Sequence, residues 1–185
     1  VSIDGDTELM REVRSGRTGA LATLFERHHA RLYRFCLRIT GNRQTAEDLV
    51  QDVFMRMLKY RATFRDDVVF GPWMFRIARN ACTDHLRRTA RHGSPDRQHA
   101  ASIEDLPAPE ENPGEDDRAA LIRRALLCLP LERREVLVLS RYEFKSYEEI
   151  AHALGCTVGA VKVRAHRAIK QLREVYMDLA QEGST

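Results

Sequence analysis

The sequence predicts an all-α protein of two small helical domains joined by a flexible acidic linker. Three observations carry this. Apolar residues recur at three- and four-residue steps through both halves of the 185-residue chain, which is the helical period, and strand-like alternation is absent. Four of the six prolines, Pro95, Pro107, Pro109 and Pro113, fall in one stretch whose only large apolar residues are Ile103 and Leu106, the composition of a solvated connection. Charge divides at the same place: residues 1–100 carry 18 Lys and Arg against 12 Asp and Glu, residues 101–117 carry 7 acids and no base, and residues 118–185 carry 12 bases against 8 acids. Two cationic modules around an anionic spacer suit a polyanionic partner. The expected boundaries are 1–89, 90–117 and 118–185. Fully extended, the spacer reaches roughly 90 Å.

The elements follow in order. Leu21, Leu24, Phe25, His28, Leu32, Phe35 and Ile39 share one helical face, and Gly41 stops that helix. Thr45 to Asp48 reads as a capping-box start for a helix running to about Tyr60. Pro72 suits the first turn of a helix running through Arg88. In the second half, one helix covers 117–129 and ends before Pro130, and another covers 131–142. Ser146 and Glu149 form a capping box opening a short helix to Leu154. Gly155, Cys156 and Thr157 turn the chain into a last helix from Val158 to about Asp178. A short helix, a Gly-containing turn and a longer basic helix make a helix-turn-helix pattern.

Several function classes are excluded or disfavoured. No segment reaches the roughly 18 apolar residues of a membrane span, so no membrane insertion of this chain is expected. The first ten residues have neither the basic nor the apolar region of a secretory signal. Cys36, Cys82, Cys128 and Cys156 form no CxxC pair, so they read as thiols of a reducing, cytoplasmic setting and not as a zinc site or disulfide framework. Cys82 with His85, three apart, lacks a second pair to complete a metal site, and His28-His29 reads as part of a helix face. No catalytic motif is present. No enzyme activity, metal or cofactor is expected.

Three helix faces carry the functional expectation. On the last helix, Val158, Val161, Ala165, Ala168, Ile169, Leu172, Val175 and Tyr176 form a buried stripe. Opposite them stand Gly159, Lys162, Val163, His166, Arg167, Lys170 and Arg173, and no acid occurs between Ile150 and Arg173. Such a face fits a DNA major groove and its phosphates. On the 46–60 helix, Leu49, Val50, Val53, Phe54, Met57 and Tyr60 are the expected core side. Asp48, Gln51, Asp52, Met55 and Lys59 face away, and carboxylates beside an adaptable Met suit docking of a basic protein surface. On the helix from Pro72, Arg76, Asn80 and Asp84 stack four apart with Trp73 beside them, groups able to bond and stack unpaired bases.

The strings AEDLVQDVFMRML, FGPWMFRIARNACTDHLRR and LPLERREVLVLSRYEFKSYEEIAHALGCTVGAVKVRAHRAIKQLRE resemble bacterial sigma factors of the extracytoplasmic-function (ECF) group, which keep only sigma regions 2 and 4. The resemblance implies that Asp48, Gln51, Asp52 and Met55 dock on RNA polymerase core. It implies that Trp73, Arg76, Asn80 and Asp84, with the loop before them, open and read the −10 promoter strand. Lys162, Val163, His166, Arg167, Lys170 and Arg173 would hold the −35 duplex. An anti-sigma factor is a further implied partner. Two features depart from many relatives: Asp66-Asp67 and Val68-Val69 in the loop before Pro72, and Val163 where Ser or Thr is common. The competing readings are a one-component regulator, which needs a ligand pocket or dimer interface within 1–90, and an enzyme.

Overall fold

The computed structural model describes residues 3–92, 117–143 and 146–182, and every extended element among them is helical. Eight α-helices follow in order: α1 Ile3–Arg14, α2 Ala20–Thr40, α3 Arg43–Lys59, α4 Phe70–His92, α5 Asp117–Leu127, α6 Leu131–Val138, α7 Tyr147–Leu154 and α8 Val158–Glu182. The expected linker lies outside the described residues except at its ends, where α4 runs to His92 and α5 opens at Asp117.

The N-terminal bundle closes around aromatic side chains. Phe35 meets Phe75 edge-on at 5.2 Å between ring centroids, and Phe64 meets Trp73 edge-on at 5.1 Å. Leu24, Leu32 and Ile39 of α2, Val53 and Met57 of α3 and Met74 of α4 fill the space between. Helix α1 was not anticipated from the sequence. Its signal is present but short: Met10 and Val13 are fully buried and Leu9 partly so. Asp6 of α1 is buried and accepts from His28 Nε2 at 2.8 Å and from Arg27 at 2.7 Å. Burial holds the His28 imidazole below its ordinary pKa, outweighing the opposing pull of Asp6.

Local signals place most ends. Gly41 adopts φ 74°, and its N–H bonds to the Leu37 carbonyl, closing α2 as expected. The start of α3 differs: Asn42 is its cap, accepting from the Thr45 N–H at 2.8 Å, so the Thr45–Asp48 box lies inside the helix. Helix α4 begins at Phe70, two residues before Pro72. Tyr60, expected in the core, is 44% exposed. The expected 131–142 helix is divided, with α6 giving way to a π-helical turn over Leu139–Glu143. The Ser146 box is formed on both sides, Ser146 Oγ accepting from Glu149 N and Glu149 Oε2 accepting from Ser146 N, each at 3.2 Å. Gly155, at φ 64°, ends α7.

The second bundle packs α5, α6 and α7 on α8, and this bundle rests against the first through α2 and α4. A Cβ on Gly41 would stand 2.7 Å from Leu127 Cδ1 of α5, so this glycine serves both the left-handed turn and the approach of the second bundle. Arg134 donates to the Ile39 carbonyl across the junction and to the Leu127 and Leu129 carbonyls within its own bundle. Burial lowers its pKa to about 10. Two carboxylates of the second bundle complete the junction: Glu135 accepts from Arg79 Nε at 3.0 Å, and Glu143 accepts from Arg31 Nε at 2.7 Å. The Arg38 guanidinium lies 3.9 Å over the Tyr142 ring.

Candidate polymerase and promoter interfaces

The basic face of α8 forms because the helix has one apolar stripe and no acid opposite it before Glu174. Val161, Ala165 and Ala168 are buried, and Val158 and Leu172 pack against the same core. Ile169, expected in the stripe, is 39% exposed. Lys162, Val163, His166, Arg167, Lys170 and Arg173 are all exposed, in the arc the sequence assigned to them. Among the described residues, the ion pair on this arc joins Lys170 to Glu174 at 3.9 Å. Arg164, at the edge of the arc, lies 4.0 Å from Glu132. Helix α7 sets the angle of α8: its capping box fixes the start, and Gly155 turns the chain at its end.

The face of α3 is partly as expected. Asp48, Gln51 and Met55 are exposed, Met55 at 65%. Among the described residues, Asp48 accepts a long bond from Gln44, 3.3 Å. Asp52 is half-buried and engaged, accepting from Arg56 Nε at 2.9 Å. Arg56 reaches on to α4, where its Nη1 donates to Asp84 Oδ2 at 2.7 Å. Burial works against the Arg56 charge, but the bonds to Asp84 and Asp52 more than offset it and hold the group above its usual pKa. One guanidinium thus ties a carboxylate of α3 to a carboxylate of α4.

The stripe on α4 divides. Arg76, Asn80 and Asp84 are exposed, so their four-residue spacing makes one outward row. Trp73 is not part of it. It is 1% exposed, its ring packs on Phe64, and its indole N–H finds no partner among the described residues. The reason is that α4 is packed on several sides, by α1, α2, α3 and α7, so an aromatic only three positions from Arg76 already points into the bundle. Trp73, expected beside this row, belongs to the core instead.

Sequence reasoning missed a groove between α2 and α3. It has a volume of about 610 Å³ and is lined in part by Phe25, His29, Tyr33, Val50 and Gln51. Phe25 shares the periodic face of α2, yet it is 41% exposed, stacked on His29 at 5.1 Å and tilted on Phe54 at 4.9 Å. The periodic face of α2 is wider than its core contact, and nothing in the spacing says which edge stays open. The groove adjoins Gln51, so it extends the α3 face.

Cys36 and Cys82 meet inside the bundle with sulfurs 3.8 Å apart, and both are fully buried. The contact with Cys36, together with burial, raises the Cys82 thiol well above its ordinary pKa, which disfavours the reactive thiolate. His28, considered above as a metal-ligand candidate, is engaged by Asp6. Among the described residues, no helix is long and apolar enough to cross a membrane.

Comparison with known proteins shows the family. Sigma-70 region 2 matches residues 24–92, and Sigma-70 region 4 matches residues 119–172. The RNA polymerase sigma factor CarQ of Myxococcus xanthus is 36% identical over 176 residues, which cover 94% of this chain and 98% of CarQ. The ECF RNA polymerase sigma factor SigM of Mycobacterium tuberculosis is 32% identical over 167 residues, covering 90% of this chain and 82% of SigM. Among solved structures, the complex of the sigma factor RpoE with the anti-sigma factor NepR from Bartonella quintana matches with a TM-score of 0.67 at 27% identity, covering 83% of this chain and 94% of the matched chain. CnrH in complex with the cytosolic domain of CnrY matches with a TM-score of 0.68 at 27% identity, covering 92% of this chain and 96% of the matched chain. Two consecutive region matches in the right order, and relatives aligned over nearly their whole length, place this chain in the sigma-70 family of RNA polymerase sigma factors, in its ECF group.

Proposed function

We propose that this sigma factor divides promoter recognition among the three faces described above, with α3 on polymerase core, α4 on the −10 strand and α8 on the −35 duplex, acting in the cytoplasm and without catalysis of its own. The observation that carries the reading is α8: six expected DNA-facing residues are exposed on one side of a helix whose other side is core. The α3 dock comprises Asp48, Gln51, Asp52 and Met55, widened by the Phe25 and Tyr33 groove. The −10 row comprises Arg76, Asn80 and Asp84. Since the matched RpoE structure holds an anti-sigma factor, a protein of that class is the proposed inhibitor here.

In vitro transcription with core polymerase, on promoters varied base by base in each element, tests the whole assignment. Within it, Arg167 is the base reader, because its planar fork pairs with guanine O6 and N7. Arg167→Ala should cost about 1–3 kcal/mol on the preferred −35 sequence and relax the preference at one base pair. Lys170→Ala should weaken all sequences alike and flatten the salt dependence by about one unit. An Arg167→Ala protein with unchanged base preference would falsify the α8 assignment.

The dock is tested by Asp48→Lys. Reversing Asp48 together with Asp52 would set a lysine against Arg56 and disturb the link to Asp84, so Asp48 alone is the cleaner change. It should weaken capture by core polymerase by roughly tenfold, as expected for an interfacial charge coupling of about 1.5 kcal/mol, with thermal unfolding unaltered. Normal core binding by the variant rules out this face.

A further inference from the structure

Helix α1 lies before the region 2 match, which begins at residue 24, yet its side chains hold the loop that leads into α4. That loop, residues 64–69, has little regular structure of its own: a single main-chain bond, Val68 N–H to the Arg65 carbonyl at 3.1 Å, closes its turn. Its ends are anchored by Phe64 and Phe70, both buried. Between them Val68 is half-buried against the core, and the other residues are exposed, Val69 at 46%. A further restraint comes from α1. Arg14 Nη1 donates to the Phe64 carbonyl at 2.8 Å and Arg14 Nη2 to Asp66 Oδ1 at 2.6 Å. Arg11 Nη2 donates to the Asp66 carbonyl at 3.1 Å, and Thr7 Oγ1 accepts from the Phe70 N–H at 3.4 Å. Met10 and Val13, buried in the core, fix the helix that presents these groups.

The same bonds answer an electrostatic problem. Asp66 and Asp67 stand in the loop that leads into α4, the helix that carries the outward row Arg76 and Asn80, and a nucleic-acid phosphate approaching that loop would be repelled by free carboxylates. Neither carboxylate is free. Asp66 is held by Arg14, and Asp67 receives both a 2.9 Å and a 2.6 Å bond from Arg65. The Arg65 bond keeps the Asp67 carboxyl below its usual pKa.

We propose that Arg14, assisted by Arg11, is a positioning residue for promoter opening, fixing the 64–69 loop in the shape that receives an unpaired −10 base. The proposal rests on the reading that α4 and its preceding loop face the −10 strand. Arg14 does not touch DNA. It acts by bridging a main-chain carbonyl and a carboxylate of the loop, which lysine, lacking the guanidinium fork, does less well.

The test uses the full chain assembled with core polymerase, on a template library randomised across the −10 element. The variants are Arg14→Ala, Arg14→Lys and Asp66→Asn, the last removing only the charge of an exposed side chain. Arg14→Ala should lower initiation roughly tenfold, the equivalent of 1.4 kcal/mol, and flatten the base preference at one −10 position. Asp66→Asn should move the preference at the same position, and Arg14→Lys should restore part of it. Core capture and −35 duplex binding should stay at the level of the unaltered protein. A fall in melting temperature and activity with the −10 preference intact would make Arg14 merely structural and overturn the proposal, as would unchanged activity. Arg76→Ala and Asn80→Ala are run alongside. If these shift the −10 preference and the Arg14 and Asp66 variants do not, the clamp fails alone. If none of the variants shifts it, the −10 assignment fails with it.

Discussion

Trp73→Ala is expected to unfold the N-terminal bundle rather than to abolish promoter reading selectively. The indole is 1% exposed and packs edge-on against Phe64. Truncating a buried Trp to Ala costs about 3–5 kcal/mol, from lost transfer free energy and the cavity left behind. A domain of this size has a total stability of about 5–15 kcal/mol, so the change takes about a fifth or more of what holds the bundle together. Thermal unfolding followed by circular dichroism checks the expectation. The loss should fall on the transition of residues 3–92, and −10 binding, −35 binding by holoenzyme and core capture should decline together at temperatures where that bundle melts. Trp73→Phe keeps most of the buried ring and should recover most of the stability. It also removes an indole N–H that has no partner among the described residues. Selective loss of −10 recognition in a fully folded Trp73→Ala protein would return the residue to the DNA face.

Glu135→Lys with Glu143→Lys should separate the two bundles. Each glutamate side chain is only 2% exposed and meets an arginine of the other bundle, Arg79 and Arg31 respectively. Lysines there would set buried like charges against each other. Breaking a buried pair costs about 3–5 kcal/mol when the remaining charge cannot escape. Here it can escape, because opening the junction returns all four groups to water, so the cost is capped by the free energy of docking. The expected result is opening without unfolding. A compact chain of this length has a radius of gyration of about 16 Å, and small-angle scattering should show the variant rising clearly above that while helical content is retained. A compact double variant would contradict the role of these pairs.

The junction also bears on promoter engagement. Elements named −10 and −35 lie about 25 base pairs apart, roughly 85 Å along B-DNA, far more than two docked bundles span. On the proposed assignment of α4 and α8, the docked form parts for both faces to bind one promoter. A factor whose competent form is a minor population binds more weakly by that fraction, so the opened variant should assemble with core polymerase more tightly. Burial raises the pKa of both glutamates, with the facing arginines offsetting only part of the effect. The docked state then holds these protons more firmly than the open one. Docking therefore gains as pH falls from neutral toward those raised values, and the gain is lost as pH rises through them.

Helix identity and most helix ends were legible in the sequence because they are set within a few residues. A 3.6-residue apolar period makes a helix wherever it falls, Gly41 and Gly155 supply left-handed turns, and Ser146 with Glu149 closes a box across three positions. The α8 face was legible for the same reason: one stripe of apolar residues and no acid opposite before Glu174 leave a single outward arc. The period fails where a helix is packed on more than one side or where its apolar face exceeds its contact. On α4 it could not tell that Trp73 points inward while Arg76 points out, and on α2 it could not tell that Phe25 borders an open groove. Long-range pairs lie beyond any local pattern. Arg56 to Asp84 spans 28 positions, Arg14 to Asp66 spans 52 and Arg31 to Glu143 spans 112. By itself the sequence determined that this chain is two cationic helical modules with an exposed basic helix face near the end of the second. Which charges are tied, how the loop before α4 is held and how the modules meet were decided only by tertiary structure, because ion pairing depends on distance in space and a chain pattern records only distance along the chain.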